Sequence, residues 1–160
     1  MKVSTADLCD EFAGSLKVAS PAGFRDFGGK KSFSGEIATV KCHETNPKIR
    51  QVLETDGTGK VLVVDGGGSE RCALMGDNMA ELAIKNNWEG IVIYGSIRDS
   101  SAISRLNIGV KALNVNPVKS GKKNEGETNI TVSFANTEFI PGQFIYCDDD
   151  GIVVSKEKLI

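Results

Sequence analysis

The sequence has few of the residues that build transition-metal centres. His43 is its only histidine, so a centre with two or more histidines cannot form within one chain. The four cysteines include no Cys-x-x-Cys pair, which excludes a zinc ribbon and a thioredoxin motif. We expect them to be buried free thiols. They are Cys9, Cys42, Cys72 and Cys147.

Long apolar runs are also absent. The longest, Val61–Val64 and Ile91–Tyr94, are far shorter than the ~20 residues that a membrane-spanning helix needs. The N-terminus, MKVSTADLCDEF, carries acidic residues where a signal peptide would be apolar. We therefore expect a cytoplasmic protein without a membrane partner.

Charge of one sign is lacking as well. The chain has 19 Lys and Arg against 21 Asp and Glu, a formal net charge of −2. Without a basic field, direct nucleic-acid binding is not expected. A chain of 160 residues with 40% hydrophobic residues is long enough for one sizeable core. We expect one domain over residues 1–160.

Hydrophobic periodicity predicts a mixed α/β fold with parallel strands in the middle and an antiparallel, β-rich end. Helices are predicted over residues 4–13, 47–54 and 101–106, with a further helix led by Gly76 and Asp77. Strands are predicted over residues 37–41, 61–65, 90–95, 109–115 and 130–134, with two or three more within 137–155. Residues 118–127, rich in Lys, Gly, Asn and Glu, are predicted to form an exposed loop.

Arg98 and Asp99 follow an apolar strand at the edge where open α/β sheets bind their ligands. One interpretation is a solvated surface pair, which contributes about 0–1 kcal/mol. The other is functional, with Arg98 binding a substrate carboxylate in bidentate fashion and Asp99 binding a divalent metal. One carboxylate with mostly water suits Mg²⁺ or Mn²⁺ better than zinc.

The start of the helix at Gly76 allows two interpretations. Asp77 is placed to act as its N-cap, which would be a structural role. Alternatively, the free amides of Gly76, Asp77, Asn78 and Met79, aided by the helix dipole, bind a carboxylate or phosphate. A helix start upstream could meet Arg98 and Asp99 at the sheet edge.

Two other features are given structural roles. His43 lies outside every motif, and we interpret it as a partly buried structural histidine. The Gly66–Ser69 segment, GGGS, lacks the lysine of a P-loop and the spaced third glycine of a dinucleotide fingerprint. We interpret it as a tight turn that forms one wall of the pocket.

The segment VLVVDGGGSERCALMGDNMAELAIKNNWEGIVIYGSIRD closely resembles the family of the regulator of ribonuclease E activity A (RraA), which includes RraA-like class II aldolases and decarboxylases. The family's aldolase signature, Asp, twenty residues and Arg-Asp, is present as Asp77, residues 78–97, Arg98 and Asp99. LCDEF, FGGKKSFSGEIATVKC, LNIGVKAL and PGQFIYCDDDGIVVS extend the resemblance over nearly the whole chain.

The resemblance implies a role for each residue of the signature. The backbone amides of Gly76, Asp77, Asn78 and Met79 would hold the substrate. Arg98 would bind its carboxylate and 2-keto end, and Asp99 would bind Mg²⁺ or Mn²⁺. Asp77 would orient a water beside the metal for proton transfer, which makes Asp77 and Arg98 the expected catalytic residues.

The resemblance also implies a fold, a reaction and partners. The fold would be a swivelling β/β/α domain, of the phosphohistidine-domain type, in a homotrimeric ring. The reactions would be cleavage of 4-hydroxy-4-methyl-2-oxoglutarate to two pyruvates and decarboxylation of oxaloacetate, both through a pyruvate enolate. The resemblance also leaves a different role open. The family's namesakes bind and inhibit ribonuclease E, so the alternative function for this chain is that of a ribonuclease inhibitor.

Overall fold

Twelve strands and four helices make up the structure, a computed structural model that describes residues 2–160. The strands are β1 (Leu16–Val18), β2 (Arg25–Asp26), β3 (Phe33–Lys41), β4 (Lys60–Asp65), β5 (Ala73–Met75), β6 (Gly90–Ile97), β7 (Gly109–Val115), β8 (Glu127–Thr128), β9 (Val132–Phe134), β10 (Thr137–Phe139), β11 (Phe144–Asp148) and β12 (Gly151–Ser155). The helices are α1 (Thr5–Phe12), α2 (Pro47–Leu53), α3 (Asp77–Lys85) and α4 (Ser100–Ile103).

A mixed sheet of ten strands organises the fold. Its strand order is β1-β12-β11-β3-β4-β6-β7-β2, with β5 paired to β6 and β8 paired to β3. The neighbours β3, β4, β6 and β7 are parallel, whereas β1, β12 and β11 are antiparallel additions at one side. β9 and β10 form a separate antiparallel hairpin. The predicted mixed α/β architecture is therefore confirmed.

Both faces of the central strands are buried, which explains why β4 and β6 have continuous apolar sequences. Leu62 and Val64 of β4 face one core cluster, which also contains the buried faces of α2 and α3. Val61 and Val63 face a second cluster, which the β9–β10 hairpin covers. The ligand-binding edge that such a sheet offers is the one at which β4, β6 and β7 end.

Local signals account for the helix starts. The Ser4 side chain accepts a hydrogen bond from the Asp7 N–H (3.3 Å) and caps α1, and Pro47 begins α2 as predicted. α4 is shorter than the predicted 101–106 because the chain leaves the helix after Ile103 to enter β7. The three-residue strand β5 was not predicted, since its three residues are all buried and show no alternation.

All four cysteines are free thiols, as predicted, and three of them are buried. Cys9 is half-buried. Within residues 2–160, every helix falls short of the length and apolar character that a membrane span requires.

Candidate active site

The ends of two adjacent parallel strands bring the predicted residues together. β5 lies beside the end of β6, with Met75 opposite Ile97, and the Arg98 N–H donates to the Met75 carbonyl (2.9 Å). Gly76 and α3 follow β5 directly, so the start of α3 lies next to Arg98 and Asp99. The predicted meeting of this helix start with the Arg-Asp pair is confirmed.

The predicted N-cap role of Asp77 is wrong. Gly76 is the N-cap residue, and Asp77 is the first residue of α3, too late in the chain for its side chain to cap. The Asp99 carboxylate serves the helix instead, because its Oδ2 accepts the Asp77 N–H at 3.1 Å. The Asp77 carboxylate is thereby left to the cleft.

Gly76 makes this contact possible. A Cβ at position 76 would lie 2.4 Å from Asp99 Oδ2, closer than real Cβ contacts, and 3.3 Å from the Arg98 side chain, which is a tight contact. The site therefore requires glycine for close approach of a side chain to the helix start. This requirement restricts position 76 more strongly than its role as the N-cap residue of α3 alone would.

Asp99 itself has an unusual backbone. Its φ is +58° and its ψ is 38°, the left-handed region that non-glycine residues rarely adopt. This conformation turns the chain sharply between β6 and α4 and places the carboxylate against α3. Strained residues of this kind cluster at active sites.

A cleft of about 410 Å³ opens above these residues. All six residues proposed for the site line it: Gly76, Asp77, Asn78, Met79, Arg98 and Asp99. The structure adds lining residues that sequence analysis missed, from α2, β5 and the predicted 118–127 loop: Asn46, Arg50, Ala73, Met75, Lys119, Ser120 and Lys122. The lysine content of the loop was a signal, but its place beside the cleft depends on tertiary structure.

The loop that carries the lysines is tied down. Ala73 of β5 donates its N–H to the Val118 carbonyl (2.7 Å), and Gly121 donates to the Glu44 carbonyl (2.8 Å). Lys122 Nζ donates to Asn46 Oδ1 (3.2 Å), and the buried Asn46 amide donates to the Leu74 carbonyl (3.0 Å). The loop is thus an ordered wall of the cleft.

The cleft has an excess of positive charge. Among residues 2–160, no carboxylate lies within 4.0 Å of the charged nitrogens of Arg98, Lys119 or Lys122, whereas Arg50 pairs with Glu54 (3.3 Å). Two carboxylates, Asp77 and Asp99, line the same cleft. Because Arg50 is paired with Glu54, three cations remain against two carboxylates, and this net positive charge favours an anionic ligand.

The donors present fit a hard divalent cation with a mostly aqueous shell. In the described part of the chain, no group of three or more His, Cys, Asp and Glu side chains is arranged to hold a metal. Asp99 and Asp77 offer oxygen ligands only, which is the chemistry of Mg²⁺ or Mn²⁺ with several waters.

His43 is not partly buried as predicted. Its side chain is 60% exposed, with Nε2 lying 3.6 Å from Glu44 Oε1 and 3.3 Å from Arg71 Nη2. The Ser69 hydroxyl and Arg71 both bind Glu44, and these hydrogen bonds hold the pKa of the Glu44 carboxyl below its usual value. The lone histidine therefore belongs to a surface polar cluster and does not line the cleft.

The glycine segment is a tight turn, as predicted, with φ of +69° at Gly67 and +70° at Gly68. Its predicted position as a wall of the pocket is wrong. A Cβ at Gly67 would lie 3.0 Å from the His43 ring, and one at Gly68 would lie 3.2 Å from Tyr94. The turn therefore packs against the protein's own side chains.

Comparison with known proteins agrees with this arrangement. The family model described as "RraA-like: Aldolase/RraA" matches residues 5–154. A protein of Alkalilimnicola ehrlichii named "Putative 4-hydroxy-4-methyl-2-oxoglutarate aldolase" is 52% identical, covering 100% of this chain and 99% of its own. A protein of Aromatoleum aromaticum with the same name is 51% identical, covering 100% of both.

Solved structures share the fold closely. One, described as an S-adenosylmethionine:2-dimethylmenaquinone methyltransferase from Geobacillus kaustophilus, has a TM-score of 0.96 and 44% identity, covering 98% of this chain and 97% of its own. Another, described as the RNA-processing inhibitor RraA from Thermus thermophilis, has a TM-score of 0.95 and 37% identity, covering 100% and 96%. The chain belongs to the RraA-like family.

Proposed function

We propose that this protein is a divalent-metal-dependent class II aldolase and decarboxylase of pyruvyl substrates. It would cleave 4-hydroxy-4-methyl-2-oxoglutarate to two pyruvates and convert oxaloacetate to pyruvate and CO₂. The observation that carries the proposal is the Asp99 carboxylate on the first amide of α3, next to Arg98, which has no carboxylate partner among residues 2–160. The names of the two relatives described above support the aldolase activity.

The start of α3 would bind the substrate carboxylate. The N–H groups of Asn78 and Met79 lie in its first turn, where no intrahelical acceptor is available. The helix dipole adds to their attraction for an anion. Arg98 would contact the carboxylate and the 2-keto oxygen together, because its planar guanidinium presents paired donors.

Asp99 would hold Mg²⁺ or Mn²⁺ directly, and Asp77 would contact it through water. When bound, such a cation supplies a Lewis acid for the negative charge that develops on the 2-keto oxygen. Arg98 contributes a fixed positive charge at the same oxygen. Asp77 would orient a water that takes the proton from the substrate hydroxyl and returns one to C3.

The two reactions share the bond that breaks. In the aldolase reaction the C3–C4 bond breaks, its electron pair stays on C3 as a pyruvate enolate, and the C4 hydroxyl loses its proton as C4 becomes the carbonyl of the second pyruvate. In oxaloacetate the same pair stays on C3 while the C4 carboxylate leaves as neutral CO₂. Protonation at C3 completes both reactions.

Methyl transfer from S-adenosylmethionine, the activity in the name of the Geobacillus kaustophilus structure, is not proposed for this chain. The glycine turn after β4 lies beside His43 and Tyr94 and is not among the residues that line the cleft. The sequence lacks the spaced glycines of a nucleotide fingerprint at this position.

A second candidate function is binding and inhibition of ribonuclease E. The likeness to the RNA-processing inhibitor from Thermus thermophilis favours it. Such a role would use an outer surface and could coexist with the cleft. A pull-down against ribonuclease E at physiological salt tests it, and absence of a retained complex would count against it.

We further propose that the fold acts as a swivelling β/β/α domain in a homotrimeric ring. The family resemblance supports this assembly, and the exposed side chains of Val115 (48%) and Val118 (56%) are available for contact with a neighbouring copy. Light scattering coupled to size exclusion tests this, and a monomeric mass would contradict it.

The first experiment is the production of pyruvate from each substrate, with and without Mg²⁺ or Mn²⁺, corrected for the rate with metal alone. We expect metal-dependent turnover that disappears in excess EDTA. No turnover of either substrate above background would overturn the proposal and favour the inhibitor role.

A further inference from the structure

We propose that Lys119 and Lys122 select the reaction at this site, favouring aldol cleavage over decarboxylation by holding the distal carboxylate of the substrate. This inference rests on the proposed function and goes beyond it. Neither lysine belongs to the Asp and Arg-Asp signature, and both line the same cleft as the start of α3.

The position of the two lysines is fixed by the fold. The loop that carries them pairs with β5 at Ala73 and Lys119, and with the end of the β3 loop at Thr45 and Gly121. Lys122 Nζ is held by Asn46, whose buried amide is anchored to the carbonyl of Leu74. Lys122 is therefore oriented by a neutral acceptor and keeps its full positive charge for a ligand.

The charges in the cleft indicate a second anion subsite. Arg98 and the amides of α3 are sufficient for one carboxylate and its neighbouring keto group. Lys119 and Lys122 lack a carboxylate within 4.0 Å among residues 2–160, so their charges are not compensated by the protein. A substrate with a carboxylate on C4 would place it toward these ammonium groups.

The consequences for the two reactions are opposite. In aldol cleavage the carboxylate on C4 stays ionised throughout, so its ion pair with lysine exists in both the ground state and the transition state. In decarboxylation of oxaloacetate the distal carboxylate is C4 itself, one bond closer to the keto group than the C5 carboxylate of the aldol substrate. It loses its charge as it becomes CO₂, so its ion pair with lysine weakens in the transition state. An interaction that is stronger in the ground state does not accelerate the chemical step.

The test compares kcat/KM for both reactions in Lys119→Met, Lys122→Met and the double variant, assayed with Mg²⁺. For aldol cleavage we expect kcat/KM to fall about tenfold or more in Lys122→Met, the change that one charge-assisted hydrogen bond makes. For oxaloacetate we expect KM and kcat to rise together, so that kcat/KM stays within about twofold.

Three controls make the result interpretable. Lys123→Met removes a lysine from the same loop whose exposed side chain does not line the cleft, and we expect wild-type kinetics. Lys122→Arg keeps the charge and should restore much of the aldol kcat/KM. Exchange of the C3 hydrogens of pyruvate for deuterium involves no distal carboxylate and should be unchanged in all variants.

An equal fall of kcat/KM in both reactions would overturn the proposal, because the lysines would then bind both transition states alike. Unchanged kinetics in the double variant would overturn it too, since no distal subsite would exist. If the wild-type protein turns over neither substrate, the proposed function itself fails. If the wild-type protein catalyses both reactions and the lysine variants change their kcat/KM values alike or not at all, only this inference is refuted.

Discussion

The Asp99 carboxylate accepts the backbone N–H of Asp77, 22 residues earlier in the chain, at 3.1 Å. The same carboxylate therefore accepts the first amide of α3 and belongs to a residue that lines the cleft. The contact joins the two parts of the signature physically, because Asp77 begins the helix after β5 and Asp99 ends the turn after β6. The spacing in the sequence reflects the length of α3 and β6 between them.

Replacing Asp99 separates its structural and chemical roles. We expect Asp99→Asn to retain the helix contact, because the amide oxygen also accepts a hydrogen bond, but to lose metal binding with the charge. Metal-dependent turnover should fall at least about 100-fold, the scale of losing a major electrostatic contribution. Asp149→Asn, in the β11–β12 turn away from the cleft, serves as the control. Wild-type turnover in Asp99→Asn would rule out the metal role.

Glycine at position 76 should be essential for the geometry of the site. In Gly76→Ala the new Cβ would meet Asp99 Oδ2 at 2.4 Å, so the carboxylate must move away from the helix. We expect a stability loss of about 1–3 kcal/mol and a larger loss of turnover. The control is Gly14→Ala, where a Cβ has nothing within 4 Å. Urea unfolding and metal-dependent kinetics on both variants test this prediction. Equal stability and turnover in the two variants would contradict the close approach of Asp99 to Gly76.

The central parallel strands were readable from the sequence because burial on both faces makes them continuous apolar runs. The predicted strand over 109–115 matches β7, and Pro47 marks the start of α2. β5 was not predicted because its three residues are all buried and show no periodicity. β5 places Gly76 beside Arg98. The strand that matters most for the geometry of the site was therefore one that the sequence pattern did not predict.

The site residues that sequence analysis found follow the ends of strands, whereas those that it missed come from α2 and its start, from β5 and from the 118–127 loop. Asn46, Lys119 and Lys122 come together at the cleft because Thr45 pairs with Gly121, which brings two distant parts of the chain together. The interpretation of His43 as partly buried was wrong because a position outside every motif does not report exposure. Its partners, Glu44 and Arg71, come from two different loops.

Arg98 should be sensitive to shape as well as charge. We expect Arg98→Lys to lower kcat/KM by about 100-fold, because a point charge cannot reproduce paired donors in a fixed fork. The Arg98 N–H bond to Met75 is made by the backbone, so the fold should not depend on the side chain. The steady-state kinetics of the pure variant measure the effect. Kinetics like those of the wild type would refute bidentate recognition.

The cysteines should differ in reactivity according to burial. Burial raises the pKa of the Cys42 thiol to about 12, with smaller contributions from Asp65 and Cys72, and burial also raises the pKa of Cys147. Both stay protonated at pH 8 and are shielded, whereas Cys9 is half-buried. We expect Ellman's reagent to modify Cys9 first in the native protein, and all four thiols after unfolding. Rapid native labelling of Cys42 would contradict its buried position.

A buried ion pair joins β2 to β7, and neither of its residues lines the candidate site. Lys111 of β7 and Asp26 of β2 are cross-strand partners, their side chains 4% and 16% exposed, with Nζ 3.0 Å from Oδ1. Within residues 2–160, Asp26 Oδ1 has no hydrogen bond of good geometry, so the pair gains little beyond mutual neutralisation. Removing one partner leaves the other charge buried and uncompensated.

We therefore expect Lys111→Met to lower the free energy of unfolding by about 3–5 kcal/mol, and the double variant Lys111→Met with Asp26→Leu to recover most of that loss. Urea unfolding of the wild type, both single variants and the double variant gives the coupling between the two positions. Because neither residue lines the candidate cleft, the double variant should keep metal-dependent turnover if it folds. Additive losses in the double variant would show that each side chain is held by other contacts and that the ion pair is incidental to the closure of β2 onto β7.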